Sequence, residues 1–149
     1  MKKLVAYYSA SGVTARKAKD LASEVGADVY EIVPAQKYTS ADLDWTNRKS
    51  RSTLEMRDPS SRPELAEKTT ELSGYDTVYI GFPIWWGVAP RVINTFIENN
   101  DLAGKKIGIF ATSGGTGISA AIKDLQKKYP DLDICGGKLL NGSVKGDIL

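Results

Sequence analysis

Apolar residues fall into short unbroken runs that alternate with segments of helical spacing, and most of the architecture follows from that alternation. Leu4 to Tyr8 is a continuous apolar run, the pattern of a strand buried on both faces. The run breaks at Ser9 into hydroxyls around Gly12. Beyond it Ala15, Ala18, Leu21, Ala22 and Val25 recur at helical spacing, so Thr14 to Val25 is expected to be a helix that Gly26 ends. Ala27 to Val33 reads as a second strand, placed at an edge by its polar neighbours and by Pro34, which cannot continue a central ladder. Ala35 to Ser73 is long, polar and charged. A compact domain seldom holds so long a structureless loop, so helical segments are expected around Asp42 to Glu55 and Pro63 to Leu72. In the second, Pro63 and Glu64 suit a first turn and Gly74 a stop.

The second half repeats the alternation more cleanly. Thr77 to Phe82 is a third strand, apolar enough for the sheet centre beside the first. Pro90 opens a helix with Val92, Ile93, Phe96 and Ile97 on one face. Lys105 to Ala111 is a fourth strand, Ile118, Ala121, Ile122 and Leu125 mark a helix that stops at Pro130, and a fifth strand runs from Leu132 to Leu140. Strands alternating with helices imply one α/β domain over residues 1–149, a doubly wound three-layer parallel sheet with right-handed crossovers.

Composition narrows the chemistry. The chain has 149 residues, enough for a core without staples, and no apolar run long enough for a membrane span. The basic start Met1-Lys2-Lys3 leads into a short strand and not into a signal-peptide core, so a cytoplasmic location is expected by default. Histidine is absent, which removes the usual general base, the Ser-His-Asp constellation and most zinc sites. Cys135 is the single cysteine, so no thiol pair exists for redox cycling. Chemistry must therefore come from a cofactor. A formal charge of +2 does not call for nucleic acid, and the cluster of Arg48, Lys49, Arg51, Arg57 and Arg62 reads as a solvated face.

Ligands of an open parallel sheet bind outside the carboxyl ends of its strands, where three unusual loops are expected. After the first strand, Ser9, Ser11 and Thr14 offer hydroxyls, Gly12 permits a close bend, and the following helix aims free N–H groups and its positive end at the same spot, a pocket for phosphate. Taken alone, such residues also make ordinary turns and caps. Pro83-Ile84-Trp85-Trp86-Gly87-Val88-Ala89-Pro90 puts two tryptophans after the third strand; because neighbouring residues point opposite ways, one of them is expected to be exposed as a stacking surface. Thr112-Ser113-Gly114-Gly115-Thr116-Gly117 adds hydroxyls and close-approach glycines after the fourth. Residues 115–120 match G-x-G-x-x-A only formally, since that fingerprint belongs in the first βαβ unit. A phosphoacceptor receiver would need acids where Ser9 and Pro83 stand.

These three loops together resemble the flavodoxin family of short FMN-binding proteins, over essentially the whole chain. Tyr8 to Thr14 is similar to the family's phosphate loop, Pro83 to Gly87 to its loop after strand three, and Thr112 to Gly117 to its loop after strand four. Val13 replaces a common Asn, leaving the backbone N–H in place. The resemblance implies strand order 2-1-3-4-5 and noncovalent FMN held by Ser9, Ser11, Gly12, Val13, Thr14, Pro83, Ile84, Trp85, Trp86, Gly87, Thr112, Ser113, Gly114, Gly115 and Gly117. It implies electron transfer with no catalytic side chain, the flavin being the reagent. An electron carrier between partner proteins is the leading expectation. A flavin-dependent NAD(P)H or quinone reductase, with Trp85 or Trp86 holding a second ring such as a small quinone-like acceptor, is the alternative; a module that has lost FMN and acts through partner contacts is a third. Neither nucleic acid nor membrane is an expected partner.

Two further expectations concern electrostatics and the C-terminus. Family carriers surround the flavin with acids, whereas Pro83 to Pro90 and Thr112 to Ile122 contain none and Arg91 follows closely, so the reduced flavin should be less destabilised here. Asp42, Asp44 and Glu55 have no legible position. Asn141 to Leu149 is too short for the family's closing helix. An apolar strip drawn from Leu132, Ile134, Cys135, Leu139 and Leu140 would then be bare, pointing to a homodimer or to closing residues beyond this chain, unless Val144, Ile148 and Leu149 curl back over it.

Overall fold

Every apolar run becomes a strand: β1 at Lys2–Tyr7, β2 at Asp28–Glu31, β3 at Tyr75–Pro83, β4 at Lys106–Thr112 and β5 at Asp133–Leu139. Four helices accompany them in this computed structural model, which describes residues 2–113 and 116–149: α1 (Val13–Val25), α2 (Arg51–Arg57), α3 (Arg91–Asn99) and α4 (Ser119–Lys128). The strands pair in parallel in the order β2-β1-β3-β4-β5, so β2 is an edge and β1, β3 and β4 are central. This is the flavodoxin-like doubly wound sheet expected from the sequence.

Successive strand residues point to opposite faces, and the central strands feed two cores. Leu4, Ala6, Val78, Ile80, Phe82, Ile107, Ile109 and Ala111 pack with Val92, Ile93 and Phe96 of α3 and with Ala121 and Leu125 of α4. Val5, Tyr7, Tyr79 and Phe110 pack with Ala18, Leu21 and Ala22 of α1. On the α1 side the register sets large residues against glycines: Tyr79 stands opposite Gly108, and Gly81 opposite Phe110.

The segment between β2 and β3 departs from expectation. Only Arg51–Arg57 is helical, with Ser50 Oγ accepting from Thr53 N at its start. From 39 to 49 the backbone is held by its own side chains. Thr39 N donates to Asp42 Oδ2 at 2.9 Å and Asp42 N to Thr39 Oγ1 at 3.1 Å, and Asp44 Oδ1 accepts both Thr46 N and Thr46 Oγ1. Short polar side chains thus offer the backbone an alternative to the helix. Pro63 to Leu72 is not helical either. Pro34 and Leu65 form an antiparallel bridge, with Ala66 N donating to Val33 O, and this lowers Leu65 into the core. That pairing also ends β2 earlier than the sequence suggests.

Asn141 to Leu149 forms no helix and curls back over the α1 side of the sheet. Val144 and Ile148 pack on that core, Tyr79 Oη donates to Asp147 Oδ1 at 2.7 Å, and Lys3 Nζ lies 3.5 Å from Asp147 Oδ2. Burial would raise the Asp147 pKa, but the Tyr79 hydroxyl, the Leu149 amide and Lys3 outweigh it and hold the group below its ordinary 3.8. A depressed carboxylate contributes stability above its unfolded pKa and loses it as pH falls through the folded value. The tail's anchor therefore holds at neutral pH and weakens only below about 3.8. Of the strip on which a homodimer would rest, Leu140 is buried on the tail's side and Ile134 in the opposite core, Leu132 and Leu139 are half-buried, and Cys135 is exposed. Sedimentation velocity at high concentration is expected to give a monomer; a dimer growing with concentration would show that the tail covers too little.

Candidate functional site

The three loops meet at the carboxyl end of the sheet, tied by specific bonds. Gly12, at φ +90°, caps α1 in a conformation that favours glycine. Ser9 Oγ accepts from Gly12 N at 3.1 Å and from Ala15 N at 3.2 Å, so its hydroxyl shapes the loop from within. The amides of Val13 and Thr14 open the first turn of α1, where no preceding carbonyl of the helix can reach them. With the positive end of the helix they form an anion site built on neutral donors. Ser11 is exposed beside them. Thr14 is buried, its hydroxyl 2.8 Å from that of Thr112, which fastens the first loop to the end of β4.

The loop after β3 separates its two tryptophans. Ile84 N donates to Thr112 O, and Trp85 and Val88 exchange N–H···O bonds of 2.9 and 3.1 Å across a turn with Trp86 at φ 49° and Gly87 at φ 83°. Two positive φ values in succession are the geometry of a tight I′ turn, natural for Gly87 but strained for a tryptophan by roughly 1–2 kcal/mol. Trp86 is 52% exposed. Trp85 is set edge-on against Tyr8 (ring centroids 5.8 Å apart) and Tyr38 (5.5 Å), inside an aromatic cluster. Trp85 is therefore half-buried in that cluster, while Trp86 is displayed.

Asn141 holds the loop after β4 by both ends of its amide: Ser113 N donates to Asn141 Oδ1 at 3.0 Å and Asn141 Nδ2 to Ser113 O at 2.8 Å. Ser113 Oγ donates to Thr116 O, and Gly117 is exposed. Gly114 and Gly115, also expected in the site, lie outside the described residues.

Between the loops after β3 and β4 and the segment that precedes and begins α2 opens a cavity of about 670 Å³ lined by Leu43, Trp45, Ser52, Ile84, Trp85, Trp86 and Thr116. Leu43, Trp45 and Ser52 were not legible as site residues. A lone tryptophan in a polar stretch is the one sequence signal that could have found them. Among the described residues the lining carries no charge. Asp42 and Asp44 are engaged in their own turns, and Glu55 pairs with Arg51 at 2.9 Å while accepting the Tyr38 hydroxyl. Arg51 also lies 3.9 Å over the Tyr38 ring. Burial, then the hydrogen bond to Glu55, pushes the Tyr38 phenol far above its usual range, and burial does the same to Tyr8, so both stay neutral. Arg91, expected near the site, is instead buried, giving Nη2 to Met56 O and Nε to Glu55 O, where it fastens α2 to α3.

A flavodoxin family model matches residues 2–149. Among solved structures, a protein from Bacteroides uniformis ATCC 8492 provisionally assigned as a flavoprotein is 57% identical with a TM-score of 0.94, over 96% of this chain and 92% of that one. One from Bacteroides eggerthii DSM 20697, likewise provisionally assigned, is 55% identical with a TM-score of 0.93, over 95% and 89%. A flavoprotein of Lactobacillus acidophilus NCFM, solved in complex with FMN, shares the fold at 23% identity with a TM-score of 0.73, over 93% and 92%. Among curated proteins none matches.

Proposed function

Because the chain belongs to the flavodoxin family, we propose that it binds FMN noncovalently and works as an electron-transfer protein. The observation that carries this reading is the meeting, at one end of the sheet, of an anion site on the α1 N-terminus with an uncharged aromatic cavity. The Val13 and Thr14 amides and the Ser11 hydroxyl suit a phosphate, and Trp86 suits a flat ring. The FMN complex of the Lactobacillus flavoprotein is consistent with this fit. Bound there, the flavin would supply the redox chemistry; the protein's own groups position it and exclude charge from its surroundings.

The test is direct. Apoprotein reconstituted with FMN is expected to be yellow and to retain the colour through gel filtration, while riboflavin, lacking the phosphate, washes out. A protein that retains neither overturns the reading. Anaerobic mixing with NADPH then separates a carrier, which NADPH leaves yellow, from a reductase, which it bleaches. The reductase reading gains ground from Trp45, because the cavity has more aromatic wall than the flavin loops alone provide.

The absence of carboxylates from the cavity lining has an electrochemical consequence. Like-charge repulsion that disfavours an anionic reduced flavin is weak here, so a redox titration should place its full reduction at a higher potential than in carriers whose flavin is ringed by acids. A couple as low as theirs would mean that Asp42 or Asp44 acts on the ring.

A further inference from the structure

Past Leu140 N, which donates to Ala111 O at 2.8 Å, a side chain extends the ladder between β4 and β5. The Asn141 carboxamide donates to Ser113 O at 2.8 Å and accepts from Ser113 N at 3.0 Å. A carboxamide carries the same donor and acceptor as a peptide group, so it replaces a strand neighbour at both points at once. Ser113 Oγ in turn donates to Thr116 O at 2.6 Å, and Thr116 lines the cavity with Trp86, whereas Asn141 is not one of the described residues lining it. The chain after Asn141 is held from the other side. Lys17 Nζ of α1 donates to Gly142 O, and further along the tail Val144 and Ile148 pack on the α1-side core. The phosphate end of the site has its own fastening, the contact of Thr14 with Thr112. What Asn141 sets is therefore the chain beyond Thr112, on the side where a ring would lie.

We propose that Asn141 is a positioning residue for the flavin ring, acting through Ser113 and Thr116, and that the tail after it is the strap that keeps it in place. The inference rests on the FMN reading above and adds which part of the chain governs how firmly the ring is held. Without the carboxamide, Ser113 N and O turn to water, and the backbone leading to Thr116 gains freedom that binding must remove again. The coupling is reciprocal, so a bound flavin should also hold Ser113 more firmly against Asn141.

Fluorescence titration of apoprotein gives the first test. Asn141→Ala is expected to raise the dissociation constants of FMN and riboflavin alike, by about three- to tenfold, because the phosphate end is fastened separately. Asn141→Asp supplies a readout that a loss of stability alone would not move. Its protonated carboxyl accepts from Ser113 N and donates to Ser113 O as the carboxamide does, whereas the carboxylate faces the Ser113 carbonyl with no proton to give. The ionised form is disfavoured there, which raises the pKa above the ordinary aspartate value. FMN affinity is followed from about pH 4 to about pH 8 and divided by that of the unsubstituted protein at the same pH, which cancels the titration of the phosphate. The ratio should be near one at the acid end and fall to the Asn141→Ala level as the carboxyl ionises. Hydrogen exchange at the Ser113 amide should slow on FMN saturation in the unsubstituted protein and change little in Asn141→Ala. Unchanged affinity in Asn141→Ala, a loss confined to FMN, a ratio for Asn141→Asp that does not vary with pH, or Ser113 exchange indifferent to FMN overturns the positioning role while FMN binding stands. Unsubstituted apoprotein that takes up no FMN overturns both readings together.

Discussion

Gly81→Ala is expected to destabilise the protein by about 3 kcal/mol, the upper end of what overpacking a well-packed core costs. A Cβ at this position would fall 1.9 Å from Cζ of Phe110 and 2.2 Å from its Cε2, closer than any real contact. Phe110 cannot swing aside, because it is fully buried between the sheet and the layer formed by α1 and the tail. For a domain of this size such a loss lowers the melting temperature by roughly 6–12 °C. The cause can be isolated by a double-mutant cycle. Phe110→Leu alone removes packing and also costs stability, but combined with Gly81→Ala it should cost less than the sum of the two, with a coupling of about 0.5–3 kcal/mol. Additive losses in urea melts would show that the glycine is needed for another reason.

Ser9→Ala should weaken FMN about 10- to 100-fold, more than Ser11→Ala, although Ser11 is the residue with the freer hydroxyl. Ser9 Oγ holds two loop amides, those of Gly12 and Ala15, each bond contributing roughly 0.5–1.5 kcal/mol. Losing both lets the loop relax away from the geometry that aims the Val13 and Thr14 amides outward. Ser11→Ala removes one donor to a charged group, worth roughly tenfold. Titration of apoprotein with FMN and with riboflavin separates the causes, because a loop that acts through phosphate should change FMN affinity and leave riboflavin nearly untouched. Equal losses for both ligands would place the Ser9 loop against the ring instead, and unchanged FMN affinity would remove it from the site.

The sheet and its helices were readable because their determinants are local. The apolar runs at Leu4 to Tyr8 and Thr77 to Phe82, the helical spacing after Thr14 and the proline before Arg91 each act within a turn or a few residues. The site's loops were readable for the same reason, since strand ends, glycines and helix starts fall in sequence order. What the chain between Val33 and Gly74 does was decided elsewhere. Its apolar residues are too sparse to impose a period, so side-chain bonds such as Thr39 with Asp42 and the long-range bridge from Pro34 to Leu65 prevail over helix propensity. Only that arrangement brings Trp45 to the cavity. The pairing of Tyr79 with Gly108 and of Gly81 with Phe110 likewise depends on the register of two strands far apart in sequence. The tail closes the sheet without a helix because Asp147 finds Tyr79 and Lys3, and Ile148 finds the α1-side core, contacts that no local pattern encodes.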